Sequence, residues 1–484
     1  MTDKLLAKNA FFSFVKAFLT LFFPLISFPY ASRILMPEGI GKINFAISTV
    51  SLFTMLSNLG ITSYATRECA KVKNNKIELT KFVKEILSIQ FICILISLIL
   101  FFISILTIPK LFEYRTILLI FSLHIILNIF TLDWLYYAIE NVKIIPLFSF
   151  IFQVIALVYL FCFVKTENDL IPYAIFGVIP AIGTAFSNTI YSTKYVSYKE
   201  NVRLNLKKHV PFIFTFFGMT VVTNLFSIID SSMLGFLSSD YELGIYTASL
   251  KINKMVIGLV VSLFAVLLPR LHLYFTDNQN QFNTLCKKSL NIVILLSIPI
   301  SFGLFLLSDS LIYLFCGTNY FNSVNVMKIM TPIVSFIGIS NILGTQILPS
   351  ISKERLSLIS YGAGCCINII CNLLFIPNYG AKGAAIATLI AEFLTLIILS
   401  LFNKNITLDK NIFKNLIKAI ISSFIMFIVL EFLKQYINNV FICIIVIPII
   451  GIIVYLICLY LLKTPLIFEI LYKIKKNQQG DKSC

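Results

Sequence analysis

The chain has 484 residues, 58% apolar and only 13% charged, with a mean hydropathy of +0.92. Soluble domains carry about a quarter charged residues, and no stretch here is long and polar enough to form one, which excludes a soluble enzyme or binding module. The net charge of +17 therefore has no soluble surface through which to hold nucleic acid.

A bilayer core about 30 Å thick needs roughly 20 helical residues, and the run FICIIVIPIIGIIVYLICLYLL (441–462) holds no Asp, Glu, Lys, Arg or His. The fold class that follows is an all-α polytopic membrane protein. Taken in chain order, the first ten residues, with Lys4 and Lys8, look like the basic start of a signal peptide. The apolar stretch behind them runs about twenty residues and lacks a small-x-small cleavage site, so it is expected to stay as the first span. Apolar runs separated by Lys, Asp, Asn or Pro clusters then predict fourteen spans: 10–32, 43–62, 85–108, 116–138, 144–164, 169–190, 211–234, 241–268, 289–308, 322–347, 356–376, 379–402, 419–433 and 440–462. The thirteenth is short and can begin earlier, within NIFKNLIKAI.

Positive charge orients these spans. With the N-terminus placed in the cytoplasm, 28 of the 39 Lys and Arg fall on cytoplasmic segments and 7 outside (Arg33, Lys42, Lys110, Arg115, Lys165, Lys382 and Lys434). That excess puts both termini inside and makes the net charge an orientation signal on an anionic membrane face. The longest polar connection, YSTKYVSYKENVRLNLKKHV (191–210), follows span six; a second seam, NKNITLDKNIFKN (403–415), follows span twelve. The expected organisation is a six-helix bundle over 1–200, a second over 201–402, and two further helices with a basic cytoplasmic tail over 403–484.

The eleven cysteines scatter through or beside the spans and form no C-x-x-C pair, and His124, His209 and His272 lie far apart. Buried apolar cysteine explains the first, and neither set supports a metal site. No cofactor is expected.

After span one the chain reads PEGIGKINFAIS (37–48), and after span seven DYELGIYTASLK (240–251). Each has a Glu, a Gly two or three residues later, a small Ala and then Ser, on an outer connection leading into an even-numbered span. The echo suggests duplicated halves of the parallel kind. These same stretches carry a resemblance. FPYASRILMPEGIGKINFA and LSNLGITSYATRECAK (56–71), IIDSSMLGFLSSDYELGIYTASLKI (228–252) and NYGAKGAAIATLIAEF (378–393) resemble the Wzx-like polysaccharide (O-antigen) flippases of the MOP (multidrug/oligosaccharidyl-lipid/polysaccharide) exporter superfamily. The resemblance implies two six-helix bundles in a V around a central cavity. It implies alternating-access transport of undecaprenyl-pyrophosphate-linked oligosaccharide from the cytoplasmic to the periplasmic leaflet of a bacterial inner membrane. It also implies a proton or sodium ion as coupling ion, and polysaccharide polymerase machinery as a partner.

Charges at bilayer depth cost about 2.5–3.5 kcal/mol on insertion scales and mark cavities or partners. Lys251 lies about 15 Å from the outer end of span eight, and Lys254 is one turn on, on the same face. Two stacked ammonium groups repel unless water, an acid or an anion shares their space, so they are candidates for lining the cavity and meeting a pyrophosphate or acidic sugar; pairing with protein acids is the alternative. Glu392, at mid-depth in span twelve, is a coupling candidate or a structural partner of those lysines. Lys16 in span one either lines the cavity or snorkels to the inner surface. Asp133 reads as interfacial, and Asp230, inside one of the resembling segments, as a gating or cavity residue. Arg33 and Lys42 sit on the outer side, where orientation gives no reason for them. Pro24 and Pro29 can bend span one, and Gly39 and Gly41 permit a tight corner, so the corner reads as a bend with cations at the exit of the lipid's path, against a simple turn.

An enzyme is not expected. A membrane glycosyltransferase or polymerase needs a sizeable loop with catalytic residues, and the outer connections here run to about a dozen residues; GAKGAA (380–385) lacks the strand-then-helix setting of a nucleotide loop. A multidrug/cation antiporter of the same superfamily would want acids in the cavity, and a peptidoglycan-precursor flippase is a rival that charge does not separate.

Overall fold

The computed structural model describes residues 2–200, 203–264, 267–437 and 439–465, and among them every regular element is helical. Helices are what this composition allows, because in lipid each backbone N–H and C=O must be satisfied within its own segment. Among the described residues, eleven helices are long and apolar enough to cross a membrane. Two long helices are really pairs meeting at corners: Thr2–Asn58 breaks at Met36 (φ 58°, ψ 174°), and Glu354–Phe402 breaks at Gly380 (φ 53°, ψ −128°). With those corners opened and Val210–Leu237 included, fourteen helical segments among the described residues stand where the sequence predicts fourteen spans.

Several observed helices outrun the predicted ones at their polar N-terminal ends. Spans three and nine begin at Lys76 and Gln279, where Asn75 and Asn278 each accept hydrogen bonds from two free N–H groups of the first turn. Span thirteen begins at Lys410, with Asp409 accepting from Asn411 N–H. Hydropathy detects only the apolar middle of a helix; capped polar turns extend it beyond that middle. Two spans are irregular inside. Span four passes from Arg115–Leu127 through a 3-10 turn, Asn128–Phe130, to Asp133–Ala138, and span ten contains a π-helical turn, Asn341–Ile347.

The chain divides into two compact units. The first comprises residues up to Thr247 together with Asn372–Ala381; the second comprises Ala248–Cys371 and the residues from Lys382 on. In the first unit the short helix Ile61–Val72 packs with span three and with Asp133–Ala138 around Phe82, Ile86, Trp134 and Tyr136, all buried.

Candidate functional site

The corner after span one is built by Met36 and Pro37. Pro37 cannot continue the preceding helix but suits the first turn of the next, and Met36 takes up the difference in a backbone region that is close to glycine-only and costs about 1–3 kcal/mol. What it creates is a crossing. A Cβ on Gly41 would lie 1.8 Å from the Asp240 carbonyl oxygen, and one on Gly244 would lie 1.8 Å from that of Pro37. The two echoing stretches thus touch reciprocally, each glycine against the first residue of the other. Around the crossing, Tyr114 donates to the Asp240 carboxylate, and burial together with that neighbour pushes the Tyr114 phenol up. Glu242 accepts from Ala381 N–H at 2.8 Å, capping span twelve just past Gly380. The corresponding Gly39 lies against Leu170, at the start of span six. Arg33 is exposed here and Lys42 half-buried.

Two of the deep charges meet. Lys16 Nζ donates to Asp133 Oδ2 at 2.6 Å, and Asn188 Nδ2 donates to Asp133 Oδ1 at 3.1 Å. Asp230 is buried, accepting from the Tyr246 hydroxyl at 2.8 Å and from Asn372 Nδ2 at 2.7 Å. In the second unit Lys251 is half-buried, Lys254 exposed and Glu392 buried. Asn253 between the two lysines is buried and turned back, donating to Ser249 O at 3.0 Å.

Two cavities differ in chemistry. In the first unit a cavity of about 330 Å³ runs along span two, lined by Ser51, Thr54 and Asn58 among the aliphatic Ile47, Val50, Met55 and Ile228, with Phe121 and His124 of span four. In the second unit a larger one, about 630 Å³, is walled by side chains such as Ile298, Phe302, Phe305, Phe393 and Phe427. The Lys328 ammonium stands 5.5 Å from the centre of the Phe305 ring.

Residues 6–275 match the family model described as polysaccharide biosynthesis protein. The chain belongs to the polysaccharide biosynthesis protein family. Among relatives, a protein of Escherichia coli (strain K12) described as a candidate O-antigen transporter is 27% identical over 391 residues, covering 79% of this chain and 92% of that one. The capsular polysaccharide biosynthesis protein CapF of Staphylococcus aureus is 25% identical, over 83% of this chain and all of its own. The lipid II flippase MurJ in an inward closed conformation shares the fold, with a TM-score of 0.77 at 20% identity, over 95% of this chain and 100% of that one.

For a chain of the polysaccharide biosynthesis protein family, three of the cations the charge rule leaves unexplained have local work. Lys110 donates to the carbonyls of Gly235 and Ser238, where span seven ends, a favourable place for a cation. Lys434 bonds Asp309 at 2.7 Å and Leu306 O at 2.6 Å, and Arg115 stacks 4.4 Å over Phe112. Sequence reasoning missed Glu242 as a cap and missed His124, Ser51 and Thr54 as cavity residues. Glu242 was within reach, standing in the echoed segment; the others carry no signal without knowing which spans are neighbours.

Proposed function

We propose that this multi-pass membrane protein is a flippase that moves a lipid-linked oligosaccharide, a polyprenyl pyrophosphate bearing a sugar repeat unit, from the cytoplasmic to the outer leaflet of the bacterial inner membrane for surface polysaccharide assembly. The observation that carries this reading is the cavity of about 630 Å³ in the second unit, lined mostly by aliphatic and phenyl groups, which suits a polyprenyl chain. The cavity of the first unit is also mainly apolar, with Ser51, Thr54, Asn58 and His124 as its polar groups. Both volumes fall in the usual range for ligand sites. The relatives named for O-antigen transport and capsular polysaccharide biosynthesis support the cargo class.

In this reading residues 1–200 and 201–402 are two six-helix bundles that rock against each other, and 403–484 adds the last two spans. Lys251 and Lys254 meet the pyrophosphate, and Arg33 and Lys42 receive it at the exit. Lys16 lies near the cytoplasmic entry. Glu392, Asp230 and Asp133 are the acids available for gating or for coupling to a proton or sodium gradient. The charge asymmetry supports cytoplasmic termini. The protein performs no covalent chemistry and hands its cargo to the polymerase machinery.

The test is reconstitution in liposomes, with flipping of polyprenyl-pyrophosphate oligosaccharide compared with efflux of a cationic drug. Flipping without efflux is expected, reduced at least about tenfold by the Lys251→Ala/Lys254→Ala pair, a rise of about 1.4 kcal/mol in barrier height. Drug efflux without flipping removes the reading; full flipping by the double variant removes the lysines from it.

A further inference from the structure

The connection after span six is not slack. Thr80, Lys84 and Glu85 stand near one another at the inner end of span three, and each takes hold of it: Thr80 Oγ1 accepts from Ser197 N–H at 3.2 Å, Lys84 donates to the Glu200 carbonyl, and Glu85 Oε1 accepts from Asn205 N–H at 2.8 Å. The Glu85 side chain has no solvent exposure. Its second oxygen accepts from Lys208 Nζ at 3.0 Å and from His209 Nε2 at 2.8 Å. A carboxylate can only accept, so His209 donates from Nε2, and the Tyr64 hydroxyl lies 2.7 Å from its Nδ1. One buried acid thus gathers backbone, ammonium and imidazole from the last residues before span seven.

The second seam repeats the arrangement with the charges exchanged. Lys287 stands on the third turn of span nine, nine residues after its cap Asn278, and Glu85 on the third turn of span three, ten residues after Asn75. Its ammonium lies 2.6 Å from Asp409 Oδ2, and Asp409 is the cap of span thirteen. One turn on, Asn415 Nδ2 donates to Asn291 Oδ1 at 3.0 Å. An exposed ion pair alone contributes little. A buried acid saturated by three donors, and its counterpart reinforced by a cap and an amide pair, hold position.

We propose that Glu85, acting on Asn205, Lys208 and His209, and Lys287, acting on Asp409, are equivalent positioning residues. Each fastens the connection that leaves a half of the chain to that half's own third span, so the connection travels with the bundle it follows. The inference rests on the flippase reading for its purpose, since a rocking cycle needs its connections to belong to one body or the other; the fastening itself does not depend on cargo.

Limited trypsin digestion of the full-length protein in lipid nanodiscs tests it, because both faces are then accessible. The first connection offers Lys199, Arg203, Lys207 and Lys208, and the second Lys404 and Lys410. Glu85→Ala is expected to speed cleavage at Arg203–Lys208 about tenfold, as an opened segment becomes the populated one, leaving Lys404 and Lys410 unchanged; Asp409→Ala is expected to do the reverse. Lys287→Ala is expected to raise cleavage at Lys404 and Lys410 as Asp409→Ala does. Where Glu85→Ala fails to fold, Lys208→Ala and His209→Gln serve in its place, with the same increase expected. Equal cleavage in wild type and variants overturns the proposal. A protein that keeps both protections yet does not flip lipid-linked sugar counts against the function alone.

Discussion

Lys16 and Asp133 show how little a single position says about itself. Each, read alone, is a charge near the inner surface that could reach water. Together they form one contact, with the carboxylate's other oxygen taken by Asn188. Their side chains are each 29% exposed, so the pair keeps much of its electrostatic strength, and removing one member strands the other. Lys16→Met is expected to lower stability by about 2 kcal/mol, the scale of a lost hydrogen bond to a charged group, read as a fall in thermal midpoint in detergent. Lys16→Met/Asp133→Leu is expected to recover part of that loss; a double variant as unstable as the summed singles would show that the two groups do not act on each other.

At the scale of elements, the corners matter more than the spans. Pro24 and Pro29, the residues that invite a bend in span one, lie within continuous helix, and the break falls at Met36, just before Pro37. Proline at a first helical turn starts a helix at no cost, so the chain turns where the next helix begins. The glycines of the two echoed segments are needed for contact rather than flexibility, each facing the other's backbone. Gly41→Ala or Gly244→Ala is expected to cost about 1–3 kcal/mol by forcing two backbones apart. Gly303→Ala, in a helix with open space at its Cβ, is expected to be neutral or to gain about 0.5–1 kcal/mol. Thermal unfolding of the three side by side decides it: equal midpoints for all would mean that the crossing is not tight.

For the molecule as a whole, pH reaches the second seam only at its acid extreme. The Lys287 ammonium and the N–H of Asn411 hold the Asp409 carboxyl below the usual carboxylate range. A carboxyl whose folded value is depressed contributes stability above its unfolded value, about 3.9, and loses it as pH falls through the lower folded value. The gap in trypsin protection at Lys404 and Lys410 between wild type and Asp409→Asn is therefore expected to be constant from pH 5.5 to 8. A gap that closes already near pH 6 would mean that another group titrates there.

Sequence alone determined the class, the number of membrane crossings and the two halves' shared entry motif, because the cost of placing charge or open backbone in lipid is paid residue by residue and is legible in one dimension. Tertiary structure decided which charges meet. Asp133 finds Lys16, Asp230 finds Tyr246 and Asn372, Glu85 gathers Asn205, Lys208 and His209, and Lys110 closes the end of span seven. A side chain a few ångströms from its partner can be more than a hundred residues away in the chain, and hydropathy, which ranks residues by their solvent, carries no record of their neighbours.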